Sequence, residues 1–238
     1  MQRNGTSQAR QRLKRFILAH LEGYGETRND PAAPGSSELS PYLHFGQISP
    51  VEIALKITDA KSGRPADKEA FLEELIVRRE LAANFVYFND DYDAYAAVPR
   101  WARQTLALHR RDPRPHRYTR RQMENAQTHD TYWNAAMREM RLTGYMHGYM
   151  RMYWGKKIIE WTNTPAYAHA TALYLNNKYF IDGRDPNAYT NVAWLFGLHD
   201  RPWQERPVFG KVRYMNANGL RRKFDMDGYI RRVAEMEP

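Results

Sequence analysis

Apolar residues recur along this chain at helical rather than strand spacing. Across residues 9–21, Leu13, Phe16, Ile17 and Leu21 stand among basic residues, which predicts an amphipathic helix after a frayed start at 1–8. Ser49 followed by Pro50 and Glu52 is a helix-start signature: a capping hydroxyl, a proline at the first helical position and an early carboxylate. Residues 66–88 carry Phe71, Leu75, Leu81, Phe85 and Phe88 and predict one long helix. Shorter helices are predicted over 101–109, 119–127 and 131–142, and a longer one over 146–161. Thr164-Pro165 opens a further helix to about residue 177, and the chain ends on a basic helix around "GYIRRV". The stretch 23–41 reads as an ordered loop, and "NKYFIDGRDPNAYTNVAW" (177–194) as turn-rich. Period-two alternation is almost absent and no repeat occurs, so the expected class is all-α with long functional loops.

Charge and composition narrow the partners. The 238 residues carry 36 Lys and Arg against 27 Asp and Glu, a net +9, which favours a polyanion: nucleic acid first, an anionic membrane surface second. Zero cysteines exclude disulfides, thiolate nucleophiles, zinc fingers and iron–sulfur clusters. No apolar run reaches the roughly 18 residues of a membrane span, and the first residues lack a signal-peptide core. A cytoplasmic protein, nucleoid-associated if prokaryotic, monomeric and without metal or membrane attachment, is the expectation.

The chemistry concentrates in a few stretches. "YMHGYMRMYWGKKIIEW" (145–161) puts Tyr145, Tyr149 and Tyr153 at i, i+4, i+8, and Trp154 and Trp161 seven apart, about 10 Å along a helix. Core packing explains such aromatic stripes; Arg151 among them asks for a carboxylate or an anionic, planar ligand. "GSSELSP" clusters Ser36, Ser37 and Ser40 in a turn, readable as a phosphate cradle or as an ordinary capped turn. It lacks the Gly and Lys spacing of a Walker loop. Glu73, Glu74, Arg78, Arg79 and Glu80 read as surface i, i+4 pairs or as groups facing a polar cleft. "RRDPRPHRYTRR" (110–121), six arginines against one aspartate, is a solvated basic loop suited to phosphate contact. His44, His129, His147 and His199 show no metal-ligand spacing and read as structural.

Several of these motifs together resemble one family. "SSELSPYLHFGQIS", "THDTYWN", "MHGYMRMYWGKKIIEW", "YLNNKYFIDGRDPN" and "FGKVRYM" look like the flavin-binding, catalytic half of the DNA photolyases, specifically the class II cyclobutane pyrimidine dimer photolyases. The resemblance runs from about residue 13 to the C-terminus, implying an N-terminal extension (1–12) and a helical FAD-binding domain (13–238). Such enzymes begin with an α/β antenna domain; no βαβ pattern occurs here, so no antenna site is expected.

The resemblance implies a U-shaped FAD, active as FADH⁻, with Arg151 beside the isoalloxazine ring and paired with Asp182. Ser36, Ser37, Leu39 and Ser40 match its diphosphate loop, with Tyr24 and Arg79 as further phosphate-side contacts and Tyr145 next to the ring. Asn176 matches the asparagine near flavin N5, where Gly148 stands in place of the asparagine of other classes. Trp154, Trp133 and Trp161, with Tyr153 beside them, match an electron-transfer chain. Glu74 matches the carboxylate that hydrogen-bonds the dimer, Trp194 and Met152 the lesion pocket, and Arg28 the loop contacting opened DNA. The implied partner is UV-damaged DNA, single- or double-stranded. The implied reaction is light-driven electron transfer that splits the dimer and returns the electron. A cryptochrome-like photoreceptor and a flavin-free DNA-binding fragment are the alternatives. The chain departs from some members in carrying Arg78-Arg79 where a lesion-packing tryptophan stands on the Glu74 helix.

Overall fold

The computed structural model describes residues 4–33 and 35–236, and among them there is no strand, only one isolated bridge between Arg206 and Gly210. The helices are α1 (Thr6–Ala19), α2 (Tyr24–Thr27), α3 (Ser40–His44), α4 (Pro50–Thr58), α5 (Pro65–Leu72), α6 (Arg79–Tyr87) and α7 (Arg100–Leu108). They continue with α8 (Arg120–Glu124), α9 (Thr131–Thr143), α10 (Gly148–Trp161), α11 (Pro165–Tyr179), α12 (Pro186–Leu195), α13 (Ala217–Arg221) and α14 (Met226–Ala234). The all-α class is thus what the described residues form.

Cap chemistry sets most of these boundaries. Ser49 accepts from Val51 N–H and Thr164 from Tyr167 N–H, each with proline next in sequence, where its missing N–H leaves nothing unsatisfied. Thr119 and Gln122 close a reciprocal capping box on α8. Part of the frayed start, residues 1–3, lies outside the described residues; α1 begins at Thr6, earlier than its apolar spacing predicts, with Ala9 already buried. The 23–41 stretch, expected as a loop, contains the one-turn helix α2 and the first residues of α3, and two further expectations differ from the structure. The turn-rich 177–194 stretch contains α12, because Asp185 caps it through Asn187 N–H and Pro186 starts it. The single long helix over 66–88 is interrupted at Glu73–Arg78 by a π-helical segment between α5 and α6.

The apolar residues form two clusters. A smaller one joins α1, α2, α4 and α5 through Leu13, Phe16, Tyr24, Ile53, Ile57 and Phe71. Phe16, Tyr24 and Phe71 pack ring on ring there, with centroids 5.0 to 5.6 Å apart. A larger one joins α7 and α9 to α14 around Trp133, Met137, Tyr153, Trp154, Trp161 and Phe196. Polar side chains cross between them: Ser40 Oγ donates to Asp182 Oδ2 (2.5 Å), His44 Nδ1 lies 3.1 Å from Asp185 Oδ2, and Arg232 donates to Pro31 O (3.1 Å). The seam bridged in this way holds the main cleft.

Candidate functional site: a cleft between the two cores

A cleft of about 1060 Å³, the open space at its mouth included, runs along the seam. The smaller cluster contributes Tyr24, Leu39, Phe71 and Leu75; α12 contributes Asn187, Thr190, Asn191 and Trp194; α10 contributes Arg151. The π-helical segment shapes the remaining wall. Its i→i+5 turn is wider than an α-turn, so residues four and five apart stay on one face. Glu74, Arg78 and Arg79 accordingly all line the cleft, which an uninterrupted α-helix would splay apart.

Charge pairs organise the floor. Arg151 Nη2 donates to Asp182 Oδ1 (3.3 Å) while its Nε donates to Met146 O (3.0 Å), and its guanidinium lies over Phe180, 3.8 Å from the ring centre. Asp182 is buried, and its other oxygen takes the Ser40 hydroxyl. Removing one partner of such a pair leaves an uncompensated charge and costs about 3–5 kcal/mol. Asp185, also buried, caps α12 and faces both His44 and Arg79, whose Nη2 is 3.8 Å away. Burial pushes the Tyr24 hydroxyl up to about 12, with the neighbouring Glu74 carboxylate acting in the same direction. Tyr24 therefore stays a neutral hydrogen-bonding group at neutral pH.

The cleft gathers Tyr24, Ser37, Leu39, Ser40, Glu74, Arg79, Arg151, Asp182 and Trp194 from the residues singled out in the sequence. Arg28 is placed at its edge by an ion pair with Glu74 (2.5 Å). Ser36 and Tyr145 instead line an adjoining cavity of about 860 Å³ with Arg12, Arg15, His147 and Arg232; Ser37 is shared by the two. Between them Glu38 takes a left-handed conformation (φ 52°) and pairs with Arg12. Tyr145 precedes α10, because His147 accepts from Tyr149 N–H and starts the helix there. The expected three-tyrosine stripe is therefore broken after its first member.

Other expected residues lie outside the cleft lining. Met152 packs against the larger core, and Asn176 is buried with its amide donating to Asn177 Oδ1 (3.0 Å). Trp154, Trp133 and Trp161 are buried in the larger core. They form a zigzag: Trp133 stacks on Trp154 (6.4 Å, 8°) and meets Trp161 edge-on (5.4 Å, 68°), so the α9 ring bridges the two tryptophans of α10. Trp133 Nε1 donates to Trp154 O (2.9 Å), whereas Trp154 and Trp161 Nε1 are buried without a partner. Tyr153 donates to Asp130, whose other oxygen caps α9 at Trp133 N–H. The basic loop 110–121 supplies no cleft residue.

Sequence reasoning missed His44, Asp185, Asn187, Thr190, Asn191 and His199 as cleft or cleft-ordering groups. The Asp-Pro pair at 185–186 was the available signal, since aspartate before proline marks a capped helix start.

The described residues have the fold of the photolyases and cryptochromes. A bacterial class III photolyase from Agrobacterium tumefaciens superposes with a TM-score of 0.76 at 22% identity, covering 96% of this chain and 44% of that one. A Synechocystis cryptochrome gives 0.72 at 20% identity, covering 97% and 45%. Among curated relatives, the chain is 55% identical over 231 residues to the deoxyribodipyrimidine photo-lyase of Methanothermobacter thermautotrophicus, matching 97% of this chain and 51% of that protein. It is 53% identical over 223 residues to the enzyme of the same name from Oryza sativa, matching 93% and 44%. The chain thus spans about half the length of the curated relatives it matches. No family model matches it.

Proposed function

We propose that this chain carries the flavin site and lesion site of a class II photolyase and repairs cyclobutane pyrimidine dimers in DNA under light. The observation that carries this reading is the co-location, in one cleft, of the Arg151–Asp182–Ser40 network, centred on the buried Asp182, and the outer groups Glu74 and Trp194. The identity of 55% with a curated photo-lyase supports it.

The residues present fit FAD. Ser37 and Ser40 offer hydroxyls at one wall, and Arg79 and Arg151 offer cations suited to phosphate and to an anionic ring. When bound and reduced, FAD supplies the light-absorbing electron donor of the repair reaction. In this reading Ser36, Ser37, Leu39, Ser40, Tyr24, Arg79, Tyr145, Arg151, Asn176 and Asp182 hold the cofactor. Asp182 fixes the Arg151 guanidinium, which favours negative charge next to it. Glu74 accepts hydrogen bonds from the damaged bases once Arg28 turns to the DNA backbone. Trp194 and Met152 form the apolar wall for the dimer, and Trp154, Trp133 and Trp161, with Tyr153, relay electrons inward through the larger core.

Extruding the lesion costs a few kcal/mol, least for a damaged base, and the net charge of +9 supplies sequence-independent phosphate affinity. The test is chromatographic: an oligonucleotide with one thymine dimer is incubated with the chain, FAD and a thiol reductant that supplies the electrons for FADH⁻, in blue light and in darkness. Dimer loss in light alone is expected. Unchanged dimer in both, with FAD bound, would reject the reading.

A further inference from the structure

The guanidinium of Arg78 lies over the ring of Trp194, 5.3 Å from its centre, with both residues at the cleft wall. Trp194 also meets His199 at 5.6 Å with the ring planes 77° apart, so the indole is flanked by a guanidinium and an imidazole. The three arginines of the cleft are held differently. Arg79 and Arg151 face Asp185 and Asp182, whose side chains are only 5% and 8% exposed. Arg78 faces Glu73 at 3.3 Å, a carboxylate that is 42% exposed. Exposed pairs of this kind contribute little and exchange readily with water, and an indole face accepts either a guanidinium or a base ring. Of these three lining arginines, Arg78 is therefore the one free to leave its partners.

We propose that Arg78 determines specificity for an extruded two-base lesion: it covers Trp194 in the free protein, and on binding it yields that face to the pyrimidine rings and moves to the phosphate that joins them. This rests on the reading of the cleft as a lesion site. The argument is one of reach and charge. Glu74, four residues earlier on the same widened turn, faces the bases, so a group displaced from Trp194 by those bases meets the backbone linking them. A planar guanidinium binds such a phosphate in a bidentate fashion, which a lysine does not reproduce. The consequence is a phosphate contact made with extruded, damaged DNA and not with an intact duplex.

The experiment is fluorescence anisotropy in the dark with the full 238-residue chain supplied with FAD. A duplex containing one thymine dimer and the same duplex undamaged are titrated over a series of NaCl concentrations. Arg78→Gln and Arg78→Lys are compared with the parent, with circular dichroism as the folding control. For Arg78→Gln the slope of log Kd against log salt is expected to fall by about one on damaged DNA alone. Affinity for damaged DNA is expected to fall about tenfold at low salt. Arg78→Lys should keep the slope and recover only part of the affinity. Equal losses on both duplexes, or no change on either, would overturn the role of Arg78 while leaving the lesion site standing. A parent chain with no preference for damaged DNA would instead overturn the reading of the cleft, and this inference with it.

Discussion

Helices α10 and α12 carry Arg151 and Trp194 to the cleft, and they pack tightly where Gly155 faces Leu195. A Cβ at that position would stand 2.2 Å from Leu195 Cδ1, 2.6 Å from Cδ2 and 2.8 Å from Cγ. Leu195 is buried, and its carbonyl accepts from the buried Lys156 Nζ at 2.5 Å, so α12 cannot retreat without lengthening that bond. Overpacking of this kind costs about 1–3 kcal/mol. Alanine in place of glycine inside a helix returns about 0.5–1 kcal/mol. Gly155→Ala is therefore expected to destabilise by about 1 kcal/mol, a fall in Tm of about 2–4 °C for a chain of this size. Leu195→Ala alone leaves a cavity and costs about 2–5 kcal/mol. In the double variant the new methyl enters that cavity, so the combined loss should be at least about 1 kcal/mol smaller than the sum. Urea denaturation followed by far-ultraviolet circular dichroism measures all three. A Gly155→Ala variant more stable than the parent, with an additive double variant, would refute the reasoning.

Three further outcomes are expected. Asp67, buried under Gly23 and Gly25 N–H groups, is held below the usual carboxylate range first by its hydrogen bond from Arg64 and then by those backbone donors. A depressed carboxyl adds stability above its unfolded pKa and loses it as pH falls through the folded one. Asp67→Asn should thus be less stable at neutral pH and flatter in acid, as read from Tm against pH. Burial lowers Lys156 to about 7, so between that pH and the ordinary lysine pKa the unfolded chain holds a proton that the folded one lacks. Parent stability should rise with pH across that window, and Lys156→Met should abolish the rise in the same measurement. Trp133→Phe removes the ring between Trp154 and Trp161 and a buried indole hydrogen bond, so flavin photoreduction should slow at least about tenfold while FAD binding persists.

The helices with strong caps were legible because their signals are local. Ser49-Pro50 and Thr164-Pro165 place a hydroxyl and a proline where the first turn needs them. Asp185-Pro186 is the same device, but Gly183 and Arg184 before it read as a turn and obscured α12. The π-helical segment had no comparable signal, since apolar spacing across 66–88 is compatible with an ordinary helix. The separation into two cores, and hence the cleft, depends on contacts such as Ser40 with Asp182, which lie 142 residues apart. Helical spacing placed Trp154 and Trp161 on one helix, whereas Trp133 between them came only from family resemblance. The contact of Arg78 with Trp194 joins two elements that no local pattern relates.

The central claim is that the seam between the two cores holds FAD through the Arg151–Asp182–Ser40 network. Its most direct test is the visible absorption spectrum of the purified chain after incubation with FAD and gel filtration, for the parent and for Asp182→Ala. The account predicts flavin bands at about one per chain for the parent and their loss in the variant, with the helical circular dichroism of both retained. A folded parent chain that emerges colourless would contradict it.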